Sequence, residues 1–420
     1  MSVPSFPHPI FIIGAGPIGL AAAAHLSQQG LPFSILEAGP DIGTHIQKWS
    51  HVKMFSNWEY NIDPVAAAQL RQSGWEHPEA EAFPTGHDLL EYYLRPLAAL
   101  PTISENLYLE YQVISISRQG IDKMTTTDRQ LSPFEVIVQT PTGRRRFLAA
   151  AVLDATGVWG QPNSMFSAGH PHDSLIERVT HTIPNFRQEI NRYANQRLAI
   201  IGSGHSALTA LMGAVALKKD YPETDIHWII RKTDVVEAFG GEENDQLAER
   251  GQLGSTARTL VGSGLVTVHS GFKVAETVST NEGISLISTD HRQVAVQEII
   301  VLTGSRPDFT FLREIRLDVD FITESTRQLA PLIDPNLHSC GTVRPHGEAE
   351  LRQPEKNFYI IGSKSYGRAP TFLLTTGYEQ IRSIVAHLTG DTISAKQIRL
   401  KLPETGVCRT STTEVSSSCC

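Results

Sequence analysis

The stretch PIFIIGAGPIGLAAAAHLSQQGLPFSILE, residues 9–37, determines the fold of the first part of the chain. An apolar run at 10–13 leads into the turn GAGPIG at 14–19, and an alanine-rich segment at 21–29 precedes a second apolar run at 33–37. This order predicts a strand, a helix and a second strand, joined by a glycine-rich turn of the GxGxxG type. Such a βαβ unit is typical of domains that bind dinucleotides.

Each glycine of this turn has an expected role. Gly14 permits the tight turn, Gly16 lets a pyrophosphate approach the backbone, and Gly19 lets the helix and the strand pack closely. The helix N-terminus offers unpaired N–H groups and the positive end of the helix dipole to the phosphates. Glu37 lies 23 residues after Gly14, at the end of the second strand. A carboxylate at this place can accept hydrogen bonds from an adenosine ribose.

The same pattern occurs again near the middle of the chain. The apolar run at 198–201 precedes the turn GSGHSA at 202–207, which has the form GxGxxA, and a helix is predicted after it. The second strand of this copy, 226–230, ends in Arg-Lys instead of an acid. Cations there suit the 2′-phosphate of NADP, although two solvated strand-end cations would give the same pattern. The residues expected at this second dinucleotide are Gly202, Gly204, His205, Ser206, Ala207, Arg231 and Lys232.

Both copies end in the same way. In each, a predicted hairpin leads into a strand that closes with Thr-Gly, at 156–157 in the first copy and at 303–304 in the second. A further buried strand is predicted at 358–362, followed by a loop and an amphipathic helix over 370–388. The sequence therefore predicts an α/β protein with two Rossmann-like dinucleotide-binding domains, the second inserted in the first.

The composition excludes several classes of function. The chain of 420 residues has 36 Lys+Arg against 44 Asp+Glu, a net charge of -8 and a pI near 6.1, which argues against nucleic acid as a partner. The first basic residue is Lys48, so the apolar N-terminal run is not expected to be a signal peptide. Four cysteines, three of them within the last thirteen residues, form no disulfide framework. We therefore expect a cytoplasmic protein with no integral membrane segment, and the oligomeric state stays open.

The arrangement resembles that of flavoproteins that bind two dinucleotides. In detail, the segments GAGPIGLAAA at 14–23, ATG at 155–157 and GSGHSA at 202–207 resemble those of flavin-containing monooxygenases. The resemblance covers roughly residues 8–390. It implies FAD at the first site and NADPH at the second.

The resemblance also implies the domain limits and the cofactor contacts. Residues 1–170 are expected to form the first part of the FAD-binding domain, 171–304 the NADPH-binding domain and 305–400 the second part of the FAD-binding domain, followed by a disordered tail at 401–420. Arg306 is expected either to contact NADPH or to pair internally. The remaining cofactor contacts are expected from Gly14, Gly16, Gly19, Glu37, Trp49, Thr156, Gly157, Gly304, Gly362 and Ser363.

In the monooxygenases that the chain resembles, NADPH reduces FAD and dioxygen adds to form a flavin hydroperoxide, which transfers an oxygen atom to a small nucleophile. The resemblance thus implies dioxygen and a small-molecule substrate with a nitrogen, sulfur or arsenic centre. Asn57 and Asn61 are expected to supply amides to the hydroperoxide or the nicotinamide ribose, and Trp58 to wall the pocket. The alternative is that this loop contains these residues for its own packing.

The cysteines leave a second type of chemistry open. No CxxC or CxxxxC spacing occurs, which excludes a direct relay between a flavin and a dithiol, and the isolated Cys340 is expected to be a buried apolar residue. The Ser/Thr-rich tail contains Cys408, Cys419 and Cys420, and its paired terminal thiols resemble those of the tail of mercuric reductase. Thiolates bind soft ions such as As(III), so the resemblance implies a soft-metalloid site. Chance composition is the alternative. Two further functions therefore stay open: a reductase whose tail thiols bind a metalloid or a small disulfide, and a redox-sensing or metalloid-binding flavoprotein without rapid turnover.

Overall fold

The computed structural model describes residues 6–170, 178–245, 247–337 and 346–400. These residues form two compact units. The first unit contains the described parts of 6–162 and 304–400, and the second contains those of 163–303.

Strands are found in both units. In chain order, those in the described residues are β1 Ile10–Ile13, β2 Phe33–Leu36, β3 Leu107–Tyr108, β4 Gln112–Arg118, β5 Phe134–Thr140, β6 Gly143–Ala149, β7 Ala151–Asp154, β8 Val179–Thr180, β9 Arg197–Ile201, β10 Asp225–Ile229, β11 Thr267–His269, β12 Val274–Thr280, β13 Gly283–Ser288, β14 Gln293–Val296, β15 Glu298–Val301 and β16 Phe358–Ile360.

Helices connect the strands, and most of them are short. In chain order, the α-helices of the described residues are α1 Pro17–Gln28, α2 Thr44–Gln47, α3 Trp58–Asn61, α4 Pro64–Gln72, α5 Gly86–Leu89, α6 Arg95–Ala98, α7 Pro101–Ser104, α8 Ile190–Tyr193, α9 His205–Asp220, α10 Ala248–Gly262, α11 Ala330–Ile333, α12 Glu348–Leu351, α13 Leu374–Leu388 and α14 Thr392–Lys396. None of the helices in these ranges is both long and apolar enough to cross a lipid bilayer.

The first unit is built on a parallel sheet with the strand order β16, β7, β1, β2, β3. Ile13 at the end of β1 is in register with Leu36 of β2 and with Asp154 of β7. Every residue of β1 and of β7 is buried, as expected for central strands of a parallel sheet. The segments that follow these strands therefore leave the sheet at one edge, where ligands of such folds bind.

Helix α1 covers this sheet through small side chains. The four alanines at 21–24 are completely buried, and α1 packs against α13. Because alanine side chains are small, the helix can approach the sheet closely. The antiparallel sheet β4, β5, β6 belongs to the same unit.

The second unit repeats the parallel sheet, with the order β11, β10, β9, β15, β8. Ile201 at the end of β9 is in register with Ile229 of β10 and with Val301 of β15, and α9 follows β9 directly. The chain enters this unit after β7 and leaves it after β15. The prediction of two Rossmann-like domains, one inserted in the other, is confirmed.

The last long helix begins later than the sequence predicted. Helix α13 begins at Leu374, whereas the proline pattern predicted a start near Pro370. Leu373 has an extended backbone, and the ring of Phe372 packs against that of Tyr366 with 5.3 Å between centroids. Pro370 therefore precedes an extended segment, which the packing of Phe372 anchors, and is not the first residue of the helix.

Candidate functional site: two glycine turns at the edges of parallel sheets

The first glycine turn is closely packed at two of its three glycines. Gly14 has φ +101°, and a Cβ there would lie 3.0 Å from the carbonyl oxygen of Ala155. A Cβ on Gly19 would lie 1.9 Å from the carbonyl oxygen of Gly14. A Cβ on Gly16, by contrast, would meet no atom within 4 Å. Packing of the protein thus requires Gly14 and Gly19, whereas the space beside Gly16 is open to a ligand.

Helix α1 begins at this open space. Gly16 is its N-cap and Pro17 its first residue, no side chain caps the helix, and no acidic residue lies in its first turn. The amides of the first turn and the positive end of the helix dipole therefore favour an anion. The turn and the helix together have the features of a pyrophosphate site.

Glu37, which is expected to bind the adenosine ribose, forms a hydrogen bond to the glycine turn. Its Oε2 accepts a hydrogen bond of 2.7 Å from the backbone N of Ala15, and its Oε1 accepts one of 2.8 Å from Gly39. A carboxylate has about four acceptor positions, so two remain for a ribose hydroxyl. One side chain can therefore shape the turn and still bind the ligand's sugar.

A buried ion pair lies beneath the ATG turn that follows β7. The Nζ atom of Lys364 lies 2.6 Å from Oδ2 of Asp154 and 3.0 Å from Oγ1 of Thr156, and the side chains of Lys364 and Asp154 are fully buried. The hydroxyl of Thr156 also donates to Oδ1 of Asp154, at 2.7 Å. The rings of Phe309 and Phe311 lie near the ammonium group, at 5.5 and 4.5 Å. The backbone N of Thr156 also donates to Oδ1 of Asp154, at 3.1 Å, so the ion pair holds both the hydroxyl and the amide of this residue.

The ends of β7 and β16 bring three more predicted residues together. Gly157 and Gly362 both have positive φ angles, of 67° and 68°. A Cβ on Gly157 would lie 3.5 Å from Oγ of Ser363, and one on Gly362 would lie 3.1 Å from Ile18 in the first turn of α1. The backbone N of Gly362 donates to Oε1 of the buried Gln380, at 2.8 Å. The two strand ends therefore meet at the start of α1.

The loop that contains the predicted catalytic residues leaves one amide available. Oδ1 of Asn57 is buried and has no hydrogen-bond partner among the described residues. Asn61 is 0% exposed; its Oδ1 accepts from Oγ of Ser56 and its Nδ2 donates to the Ser56 carbonyl, both at 2.8 Å. Trp58 is 4% exposed and packs in the core. Of these three predicted residues, only Asn57 has a buried side-chain oxygen or nitrogen without a hydrogen-bond partner among the described residues.

Trp49 lies beside the segment that follows the ATG turn. Its ring centroid is 6.2 Å from that of Trp159, and a Cβ on Gly86 would lie 2.8 Å from its indole. The ring is half-buried and packs against the core of the first unit. Its expected contact with the cofactor stays a prediction.

His45 is a further candidate residue of the first unit, in addition to those that the sequence predicted. Its Nδ1 is buried without a hydrogen-bond partner in the described residues, and its Cε1 would lie 3.9 Å from a Cβ on Gly160. Burial lowers the pKa of the imidazole, and Lys48 acts in the same direction, so the ring is neutral at pH 7. A single histidine in a one-turn helix has no recognisable sequence pattern, which is why only the structure reveals it.

The residues of the first unit fit FAD. The open space at Gly16 and the start of α1 suit its pyrophosphate, and Glu37 suits its adenosine ribose. Among the described residues of the first unit, the buried side-chain atoms without a hydrogen-bond partner include His45 Nδ1, Asn57 Oδ1 and Thr371 Oγ1. Each costs about 1–3 kcal/mol unless a ligand satisfies it.

The glycine turn of the second unit has the same arrangement of packed and open glycines. Gly202 has φ +131°, and a Cβ there would lie 2.2 Å from the carbonyl oxygen of Leu302, whereas one on Gly204 would meet no atom within 4 Å. Ala207 is completely buried, as the small last position of GxGxxA requires. Ser206 lies in the first turn of α9. The open position again lies at the start of a long helix.

His205 begins helix α9 and is neutral. Burial lowers its pKa to about 4, and the Arg250 guanidinium acts in the same direction. Arg250 forms two hydrogen bonds to Asp245, at 2.6 and 2.8 Å, and both side chains are buried. The charge that this unit offers a phosphate near α9 therefore comes from the helix end and not from His205.

The predicted cations differ in their surroundings. Arg231 is exposed at the end of β10, whereas the Nζ atom of Lys232 donates to the carbonyl of Glu237. Arg306 pairs with Glu324 in the first unit, with 3.1 Å between Nε and Oε2, so the predicted internal pairing of Arg306 is present, whereas its contact with NADPH stays a prediction. Gly304 begins the return to the first unit with φ +84°. Arg231 is the cation that the structure leaves exposed to a ligand.

Cys340, Cys408, Cys419 and Cys420 all lie outside the described residues. The proposed metalloid ligands of the tail thus stay predictions. Within the described residues, no three His, Cys, Asp or Glu side chains form a metal cluster.

The fold and both sites define a flavoprotein with two dinucleotide-binding domains. The family model described as pyridine nucleotide-disulphide oxidoreductase matches residues 11–342, and the chain belongs to this family. It is therefore an oxidoreductase enzyme, and the predictions of FAD and NADPH as its cofactors are confirmed at the level of the family.

Solved structures of two kinds resemble the chain. Bacillithiol disulfide reductase from Bacillus cereus is 18% identical, with a TM-score of 0.68 over 91% of this chain and 99% of that one. A flavin-containing monooxygenase from Stenotrophomonas maltophilia is 21% identical, with a TM-score of 0.58 over 91% and 98%. The cadaverine monooxygenase of desferrioxamine biosynthesis from Erwinia amylovora is 14% identical, with a TM-score of 0.65 over 96% and 99%. No curated protein sequence matches the chain.

Proposed function

We propose that the protein is an NADPH-dependent flavin monooxygenase that acts on a small molecule with a nucleophilic nitrogen, sulfur or arsenic centre. The observation that carries the proposal is the buried Oδ1 of Asn57, which has no hydrogen-bond partner among the described residues. It lies in the loop that follows the β2 end of the FAD unit, where an amide can bind a reacting group. The resemblance to two monooxygenase structures supports the same choice.

The chain's own residues hold and shield the reactants. The start of α1 and Glu37 bind the dinucleotide, while the ion pair of Lys364 and Asp154 keeps the ATG turn in shape. Bound FAD supplies the two-electron chemistry that links NADPH to dioxygen. The Asn57 amide orients a hydrogen-bond donor of the substrate or coenzyme, and the rings near Trp49 exclude water.

Disulfide reduction is the second candidate. Its support is the resemblance to bacillithiol disulfide reductase and the family that includes disulphide oxidoreductases. A reductase of this type transfers electrons to a sulfur pair and needs no dioxygen. The chain's cysteines lie outside the described residues, so the described site offers an amide and imidazole and no thiol.

Oxygen dependence separates the two candidates. NADPH oxidation should require dioxygen, and ¹⁸O₂ should label a product from a panel of primary amines, thioethers and arsenite, detected by mass spectrometry. Anaerobic NADPH oxidation that starts on addition of a small disulfide, without ¹⁸O transfer in air, would instead establish the reductase.

A variant tests the role of Asn57 directly. Asn57→Leu should keep its FAD but release most of the NADPH electrons as hydrogen peroxide, because the amide that aligns the reactants is lost. Gln72→Leu, which replaces an exposed amide at the end of α4, is the matched control and should behave like the parent. Unchanged coupling of NADPH oxidation to product in Asn57→Leu would contradict the assignment.

A further inference from the structure

Two histidines face each other on neighbouring strands of the second unit, outside the glycine turn. The Nδ1 atom of His227 lies 3.0 Å from Nε2 of His269, and the ring centroids are 5.3 Å apart. His227 lies on β10 and His269 on β11, which are paired in parallel, with Ile229 in register with His269. The strand pairing, and not a loop, therefore fixes the distance between the two imidazoles.

An acid orients one of the rings. Oδ2 of Asp225 lies 3.0 Å from Nε2 of His227. When this nitrogen carries the proton and donates a hydrogen bond to the carboxylate, Nδ1 of His227 presents a lone pair toward His269. Histidines that bind metals commonly donate their other ring N–H to a carboxylate in this way, which fixes the tautomer and raises the basicity of the ligand.

The distance between the nitrogens matches a particular coordination geometry. Two nitrogens bound at about 2.1 Å and at right angles to each other are about 3.0 Å apart, as in octahedral or tetragonal complexes, whereas tetrahedral zinc requires about 3.4 Å. The observed 3.0 Å thus suits Ni²⁺ or Cu²⁺ without movement of the strands. His269 then carries its single proton on Nδ1.

We propose that His227 and His269 form a binding site for a divalent transition-metal ion of octahedral or tetragonal geometry, oriented by Asp225 and completed by water. No third His, Cys, Asp or Glu of the described residues joins the pair, so the affinity should be below that of a structural metal site. The Arg292 guanidinium donates to the carbonyl of Ser270, the residue after His269. The charge of Arg292 is neutralised by Asp290, with 2.9 Å between the guanidinium nitrogen and Oδ2. The local charge is therefore balanced.

The test uses untagged full-length protein and Ni²⁺ in calorimetric titrations. Because cysteine thiolates in general bind soft metals, the parent is measured both unchanged and with all four cysteines replaced by Ser. The cysteine-free protein should bind one Ni²⁺ per chain, more tightly than Zn²⁺. His227→Gln and His269→Gln should each weaken binding at least tenfold, and Asp225→Asn by about tenfold. His87→Gln, an exposed histidine of the first unit, should leave it unchanged.

A spectroscopic measurement identifies the ligands. Electron paramagnetic resonance of Cu²⁺ in the cysteine-free protein should show coupling to two imidazole nitrogens, reduced to one or none in His227→Gln. Circular dichroism shows whether each variant is folded. If a histidine variant does not fold, the Ni²⁺ affinity of Asp225→Asn tests the proposal in its place. No Ni²⁺ binding, or binding that His227→Gln does not change, would overturn the proposal and leave the pair as a hydrogen-bond chain only.

Discussion

The carboxylate of Glu37 accepts a hydrogen bond from the backbone N of Ala15 inside the glycine turn, with 2.7 Å between Oε2 and N. The two residues are 22 positions apart in sequence, and the parallel pairing of β1 with β2 brings them together. The acid that should bind the ribose thus also shapes the turn that should bind the pyrophosphate. The two halves of the dinucleotide site depend on one side chain.

Glu37→Gln should weaken FAD binding by about tenfold to a hundredfold, because a hydrogen bond to a charged group contributes about 1.5–3 kcal/mol and glutamine retains only one acceptor atom. The measurement is the FAD dissociation constant from flavin fluorescence. Glu105→Gln, an exposed acid of the same unit, is the control. Equal FAD affinity in both variants would show that Glu37 contributes to neither turn nor ribose.

Gly16→Val and Gly204→Val form a matched pair, because a Cβ at either glycine meets open space and not protein. Gly16→Val should fold but purify without FAD, since its side chain occupies the expected pyrophosphate position. Gly204→Val should keep its FAD and lose NADPH binding. Absorbance at about 450 nm, where oxidised flavin absorbs, and NADPH titration measure the two effects. A fully flavinylated Gly16→Val protein would contradict the first site assignment.

Arg231→Ala should raise the KM for NADPH by about tenfold to a hundredfold with little change for NADH, since a charged contact to the 2′-phosphate contributes about 1.5–3 kcal/mol. Lys232→Ala should have the smaller effect, because Lys232 already donates to the carbonyl of Glu237. The double variant should lose most of the preference for NADPH. Steady-state kinetics with both coenzymes measure this, and a parent enzyme that prefers NADH would refute it.

Lys364→Met should lower the free energy of unfolding by about 3–5 kcal/mol, because it leaves the fully buried Asp154 without its counter-ion. The double variant Asp154→Asn with Lys364→Met should lose less, since no uncompensated charge remains. Urea unfolding followed by tryptophan fluorescence gives the values, with the exposed Lys356→Met as control. A single variant as stable as the control would mean that the ion pair contributes nothing to stability.

Deletion of 401–420 tests the tail. If oxygen transfer is the activity, the truncated protein should keep its FAD content, NADPH oxidation and substrate turnover. If Cys408, Cys419 and Cys420 bind a soft ion, arsenite should stimulate NADPH oxidation only in the full-length protein, and more strongly as the pH approaches the usual thiol pKa of about 8.5. Identical arsenite responses of the two proteins would show that the tail cysteines have no role in the activity.

The fold was predictable because its signals are local. Strand, glycine turn and helix lie within about thirty residues of each other in each copy, and the buried runs and small residues have the spacing that the βαβ unit requires. The start of α13 was predicted four residues too early, because the packing of Phe372 on Tyr366 outweighs the preference of Pro370 for a helix start.

The sequence by itself determined the two glycine turns, the acid at the first strand end, the cations at the second and the insertion of one domain in the other. Only the tertiary structure decided which polar atoms remain available to a ligand. Asn61 and Arg306 are engaged with Ser56 and Glu324, whereas Oδ1 of Asn57 has no partner among the described residues. The physical reason is that hydrogen bonds and ion pairs depend on where side chains lie in space, and a sequence pattern records the residue types but not which of them meet.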